Sequence, residues 1–195
     1  MSNERWEFTG ETKVFSGITL KRIRAAVGFR LKCGIAISKG ELGGWIEKES
    51  NLSGDAWVYD DAWVYGKADV SGDARVYGNA GVSGDAWVFG KARVYDDALV
   101  SGNARVFGDA RVSGKAEVSG KADVFGIRDY AVFKNVWSSG RWFTYTRSDR
   151  MWTVGCFRGT GEELIAKAYK DSEKSGRCYE AVVKAQEAIE KAMEE

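Results

Sequence analysis

The sequence predicts a mainly β chain organised around a parallel β-helix, with a β cap before it and a smaller α+β domain after it. Three observations lead there. From Gly54 to Phe125 the chain repeats every six residues through twelve hexads, each with Ala in its third slot and Val in its fifth. Residues eighteen apart sort into chemically distinct columns. Past Gly126 the pattern stops, because Arg128 and Tyr130 would fall in the Ala and Val slots and neither suits an interior. A strict six-residue period is the mark of a solenoid of stacked short strands.

The slots have physical reasons. Ala and Val lie two apart, so on a strand they point to the same side, inward. Residues beside them, such as Trp57 and Tyr59, are expected to point outward. Gly with a following Asp, Asn or Lys supplies each corner, where the backbone is tight. Twelve inward Val at roughly 1.5–3 kcal/mol each supply a continuous core without helices.

The eighteen-residue columns predict three sides per coil. One side reads Trp57, Arg75, Arg93, Arg111, with Tyr59, Tyr77, Tyr95, Ser113 beside them. The next reads Trp63, Gly81, Leu99, Glu117, with Tyr65, Ser83, Ser101, Ser119. The third reads Asp69, Trp87, Arg105, Asp123, with Ser71, Phe89, Phe107, Phe125. A plain six-residue repeat would not separate Arg and Tyr, Ser, and Phe in this way.

A Val followed four residues later by an Ala, repeated, resembles the hexapeptide-repeat left-handed β-helix of many acyltransferases. The resemblance implies a left-handed coil of three hexads per turn and a homotrimer. The stretch from Gly43 to Gly54 resembles the entry to the repeat in small phage and prophage proteins of this architecture. The run Gly155-Cys156-Phe157-Arg158-Gly159-Thr160-Gly161 resembles their C-terminal domain.

In chain order, residues 1–41 are expected to form the N-terminal β cap, 42–126 the β-helix and 127–195 the C-terminal α+β domain. Within the cap, 15–26 and, with cleaner alternation, 27–37 read as strands. Ile46 and Leu52 fall in the Val slot ahead of the perfect repeat, so an imperfect first coil begins near Leu42 and the helix has about five coils. In the C-terminal domain, 130–137 and 141–146 read as a hairpin and 151–157 as a third strand. Thr160-Gly161-Glu162-Glu163 is a capping box opening a helix to about Lys170, and 180–193 has helical spacing.

Composition excludes several classes. The net charge of +1 gives no strong global pull toward nucleic acid or membrane. The first thirty residues lack a continuous apolar run, so no signal peptide is expected, and no stretch of about twenty apolar residues suggests a membrane helix. Three scattered cysteines, Cys33, Cys156 and Cys178, fit a reducing compartment without a disulfide framework. With the phage-type resemblance, the expected location is the cytoplasm of a bacterial host.

There is no histidine. The resembled acyltransferases use a histidine general base, and a group with a pKa near neutrality is best suited to that work. No catalytic residue and no cofactor are therefore expected. No metal site is expected either: three isolated Cys make no zinc set. The corner carboxylates Asp55, Asp61, Asp73, Asp85, Asp97 and Asp109 share their slot with Lys and Asn, which suits turn chemistry.

The candidate ligand-binding residues are Arg75, Tyr77, Arg93, Tyr95, Arg111 and Arg158. Stacked coils lie about 4.8 Å apart, so the three arginines of the first side form a ladder of like charges. That ladder needs acidic partners, stacking on Tyr, or an anionic ligand. Arg158, with the amides before the C-terminal helix, is placed to hold a phosphate. The bland alternative is a side packed on another subunit or on the C-terminal domain. Cys156 before a helix start is a candidate reactive thiol, against a buried structural one. The basic cluster Lys21, Arg22, Arg24, Arg30 and Lys32 is a second anion candidate, against a solvated strand face. Trp87, Phe89, Phe107 and Phe125 make a stripe expected to be covered by a second subunit or the C-terminal domain.

The resulting expectation is a non-catalytic, phage-type binding protein. It would capture a small anionic ligand, such as a cyclic nucleotide, between subunits of a homotrimer and so sequester a signal of bacterial defence. Two alternatives stand beside it: an acyltransferase with an unusual base, and a structural or protein-interaction module.

Overall fold

The computed structural model describes residues 5–194; residues 1–4 of the expected cap and residue 195 of the expected C-terminal domain lie outside them. The chain opens with β1 (Trp6–Phe15) and β2 (Ile18–Ala25), an antiparallel hairpin turned at Ser16-Gly17, where both residues have positive φ. The strand expected over 15–26 thus starts at Ile18, and a strand not foreseen precedes it. A bulge between Phe8 and Thr12 breaks the alternation of β1 and hides it from a period-two reading.

The stretch 27–37 alternates most cleanly, yet it is not one strand. It folds back as β3 (Phe29–Arg30) and β4 (Ala36–Ile37). Leu31 N donates to Ile35 O at 2.8 Å, and Gly34, at φ 95°, donates to Leu31 O at 2.8 Å. A left-handed Gly in mid-run turns the chain, and alternation carries no trace of it. Leu31 and Ile37 are buried by this hairpin, while Cys33 and Ile35 stay exposed. Next, β5 (Leu42–Ile46) pairs antiparallel with β2 and parallel with the strand at Trp63–Val64, which joins the cap to the solenoid. It crosses the mouth of the first coil so closely that a Cβ on Gly44 would lie 2.6 Å from Ala62 O.

Among the described residues, twelve two-residue strands follow at six-residue steps, β6 (Trp57–Val58) to β17 (Asp123–Val124). They stack in parallel with an eighteen-residue offset, as in Arg75 beside Arg93 and Trp87 beside Arg105. Three per coil, they make a parallel β-solenoid of about four turns, preceded by a partial turn from β5 and the Leu52–Val70 bridge. Every Val of the twelve hexads is 0% exposed and every Ala at most 5%. Corner residues hold φ of 52–74° throughout, and Asp replaces Gly there at 60 and 96. Both aspartates offset the left-handed cost by accepting from the corner amide of the next coil, Gly78 N at 3.1 Å and Gly114 N at 3.0 Å.

The second corner slot carries an ion-pair pattern at the same offset. Lys67 meets Asp85 at 3.7 Å, Lys115 meets Asp97 at 2.7 Å, and Asn79 donates to Asp97 at 3.1 Å. Mixing of Asp, Asn and Lys in one slot is therefore a vertical pairing of neighbours as well as turn chemistry. Gly81 stands in an outward slot because the Trp63 indole from the coil before lies over it; a Cβ there would be 2.1 Å from the ring.

Main-chain polarity dictates the ends. Each coil donates its N–H groups to carbonyls of the next, as in Arg75 N to Ala92 O at 2.9 Å and Tyr77 N to Val94 O at 3.0 Å. The first coil is left with open acceptors and the last with open donors, and buried orphans of either kind are costly. At the start, Trp45 N, Glu47 N and Ser53 N donate to Ala62 O, Val64 O and Val70 O. Fully buried Asn51 adds its Nδ2, 2.8 Å from Ala68 O and 3.2 Å from Gly66 O. At the finish, side-chain oxygens accept: Thr144 Oγ1 from Glu117 N at 2.8 Å, Ser148 Oγ from Asp123 N at 2.7 Å, and Asp129 Oδ2 from Phe125 N and Gly126 N at 2.7 Å each.

Thr144 stands on, and Asp129 and Ser148 flank, the strands of an antiparallel sheet in chain order, β18 (Tyr130–Lys134), β19 (Trp142–Thr146), β20 (Met151–Val154) and β21 (Phe157–Gly159). The single strand expected over 151–157 is two, split by a turn at Gly155-Cys156 with Gly155 at φ 58°. The capping box is formed: Thr160 Oγ1 accepts from Glu163 N at 3.2 Å, and Glu163 Oε2 from Thr160 N at 2.8 Å. It opens α1 (Gly161–Asp171), and α2 (Glu173–Glu194) starts two turns before the expected position. Ser172 Oγ accepts from Ser175 N at 3.1 Å and starts that helix. Phe143, Tyr145, Trp152, Val154, Leu164 and Val183 form the core of this unit, apart from the solenoid core.

Candidate functional site

The first side of the prism is built as its columns foretold: Trp57, Arg75, Arg93 and Arg111 are consecutive register partners. Its covering was not foreseen. The β3–β4 hairpin lies on it, and Phe29 meets Trp57 edge-on at 5.4 Å. Trp57 points outward from the coil, as expected, but it is 0% exposed beneath the hairpin.

The hairpin also encloses Arg75, which is 9% exposed. Among the described residues, no oxygen hydrogen-bonds or ion-pairs with its side chain. It lies between two cavities. One, of about 180 Å³, is lined by Lys32, Cys33, Asp73, Arg75, Lys91, Arg93 and Asp109. The other, of about 300 Å³, is lined by Ile35, Tyr59, Asp60, Arg75 and Tyr77. The first holds four cationic groups against two carboxylates. Lys32 spans Asp55 at 3.4 Å and Asp73 at 3.0 Å, and its hydrogen bond to Asp73 holds its pKa above the ordinary lysine value.

The second cavity is aromatic. Tyr59 and Tyr77 stand at 85° with ring centroids 6.3 Å apart, and Tyr77 stacks on Tyr95 at 5.0 Å and 4°. The Tyr59 hydroxyl is buried without a hydrogen-bond partner among the described residues. Burial pushes its pKa up to about 12, with Arg75 pulling the other way. Burial likewise raises Tyr77. Both phenols are neutral donors near pH 7.

Of the six residues expected to bind ligand, Arg75, Arg93 and Tyr77 line the cavities. Tyr95 supports Tyr77 from behind. Arg111 is exposed on the last coil, outside both linings. Arg158 is elsewhere: it ion-pairs with Asp149, and its guanidinium covers the corner at Gly120. That corner joins the second and third sides, so it is the vertex opposite the arginine column. It does not face the start of α1 as a phosphate grip would, because β21 is a strand whose alternate residues point away from the helix. Cys156 is exposed at the β20–β21 turn, and β21 separates it from the helix start. The reading of Cys156 as a buried or helix-activated thiol falls with that.

The basic cluster of the cap disperses. Arg24 pairs with Glu7 at 2.7 Å, Arg22 reaches Glu11 at 4.0 Å and covers the Trp45 ring, and Lys21 covers Phe8. Lys32 alone of these five lines the cavity at Arg75. Sequence reading did not bring Lys32, Cys33, Ile35, Tyr59 and Asp60, nor the corner residues Asp73, Lys91 and Asp109, to this site. The signal available was Gly34, whose turn brings 32–35 onto the first side.

On the third side Phe89 and Phe107 stack at 5.2 Å, and Arg105 pairs with Asp123 below them. Trp87 and Phe125 remain 55% and 60% exposed. The C-terminal unit sits on the end of the solenoid and leaves this stripe uncovered.

The fold and these cavities define a β-solenoid repeat protein with an arginine enclosed against its first side. The family model for the YdcK beta solenoid repeat matches residues 68–84, 74–90 and 92–106. The matched segments carry Arg75, Tyr77, Arg93 and Tyr95, whereas Lys32, Ile35, Tyr59, Asp60 and Asp109 of the cavities lie outside them. No curated protein matches the chain.

Proposed function

We propose that this protein is a non-catalytic binding protein that captures a small anionic, nucleotide-like ligand on the arginine-bearing side of its solenoid. One observation carries the proposal: Arg75 is nine-tenths buried, has no partner among the described residues, and borders both a basic and an aromatic cavity. Its guanidinium nitrogens meet solvent only through these cavities, and an anion that enters replaces that water with charge-assisted hydrogen bonds. The absence of histidine from the sequence argues against acyl transfer of the hexapeptide kind.

The finer identity rests on resemblance. The repeat supports a left-handed hexapeptide-type coil, and the entry and C-terminal signatures support a phage or prophage origin. In that setting the ligand is a cyclic nucleotide or related signal of bacterial defence, sequestered in the host cytoplasm. The exposed Trp87 and Phe125 support a homotrimer that buries the third side.

The test is calorimetry and thermal shift against a panel of cyclic and linear nucleotides and acyl-CoA donors. Tight binding, with unchanged ligand recovered after heating, is expected. Arg93→Glu abolishes capture. Unchanged affinity in that variant rejects the site, and turnover of an acyl-CoA replaces the binding reading with an enzymatic one.

A further inference from the structure

Two cavities share Arg75 and differ in kind, and that difference specifies a ligand more narrowly than its charge does. The basic cavity gathers Lys32, Arg75, Lys91 and Arg93 around about 180 Å³. Lys32 and Asp73 pair with each other and Asp109 is exposed at a corner, so Arg75, Lys91 and Arg93 are the cations left to meet a ligand. This cavity is a place for phosphate oxygens. The aromatic cavity, about 300 Å³, has one charged acceptor, Asp60, whose Oδ2 already takes the Gly78 amide. A second phosphate there would meet that carboxylate. A flat heterocycle would instead lie in the corner made by the perpendicular Tyr59 and Tyr77 rings, against Ile35.

We infer that the site takes a nucleoside monophosphate, its phosphate in the lysine–arginine cavity, its base in the tyrosine corner and the Arg75 guanidinium between them. Tyr59 contributes its ring to this corner, while its hydroxyl is shut off from solvent. Together the cavities fall in the lower part of the range of about 300–1,000 Å³ usual for small-molecule sites, which suits one base and one or two phosphates. The inference rests on the anion-capture reading and narrows it.

The experiment titrates the full chain with adenosine 5′-monophosphate, uridine 5′-monophosphate, ribose 5-phosphate, inorganic pyrophosphate and a cyclic dinucleotide by calorimetry. Base stacking on an aromatic ring makes a nucleoside monophosphate bind about tenfold or more tighter than ribose 5-phosphate. Tyr77→Ala removes that advantage and leaves ribose 5-phosphate as it was; comparing two ligands on one variant controls for misfolding. Equal binding of nucleotide and sugar phosphate to the unsubstituted protein, with pyrophosphate still bound, overturns the base subsite and leaves anion capture standing. Binding of the cyclic dinucleotide alone also overturns the monophosphate assignment and leaves capture standing. Silence toward every probe overturns both.

Discussion

Replacing Arg75 with Met should make the unliganded protein more stable. Neighbouring rungs are about 4.8 Å apart, and two like charges about 5 Å apart repel by about 3 kcal/mol at an effective dielectric constant of about 20. Asp73 and Asp109, which line the same cavity, cancel part of that repulsion with Arg93. Partial desolvation of the Arg75 guanidinium, which meets water only through the cavities, adds to that cost. Met keeps the unbranched stem under the hairpin and removes the charge. The expected net gain is about 1–3 kcal/mol, at about 2–4 °C in the midpoint per kcal/mol for a chain of this size. Urea and thermal unfolding in low salt measure it, and the gain should shrink as salt rises. Pyrophosphate should raise the midpoint of the unsubstituted protein and leave the variant unmoved. A variant less stable than its parent at low salt would refute the reasoning, since Arg75 would then be held by favourable native contacts.

Two further outcomes follow from the end of the solenoid. Burial raises the Glu117 carboxyl above its ordinary value of 4.5. The folded chain therefore holds this proton more tightly than the unfolded chain, so stability from this group is present at low pH and is lost as pH rises through the raised value. The urea midpoint of Glu117→Gln should pull ahead of the parent as pH rises from the ordinary carboxylate value through the raised one, and a constant gap would contradict the assignment. Asp129→Ala should cost about 1–3 kcal/mol, because one carboxylate oxygen serves both Phe125 N and Gly126 N. Hydrogen exchange should show those two amides losing protection, and unchanged protection would mean another acceptor replaces Asp129.

The solenoid was legible because its information is local and repeated. An inward Ala and Val, a turn-forming corner and an eighteen-residue column are each visible in a few letters, and register follows from them. The capping box at Thr160 was legible for the same reason, since its bonds span three residues. The covering of the first side was not. Phe29 on Trp57 and Lys32 beside Asp73 are contacts between segments far apart in the chain, and no period links them. Alternation over 27–37 even misled, because a hairpin also places alternate residues on one face. Arg158 was drawn to the helix start by a glycine-rich run whose first Gly turns a hairpin. The arginine column was readable, whereas its enclosure depended on where a two-residue strand pair came to rest.

Because donors of every storey meet acceptors of the one above, the shaft looks the same wherever it is cut between storeys. The foundation supplies hydrogens and the roof supplies oxygens, and neither depends on how many storeys stand between. Whole eighteen-residue modules can therefore be added or removed with both fittings intact. Such a change would lengthen or shorten the row of guanidinium groups, and this architecture can vary its charge ladder by copying one stretch of sequence.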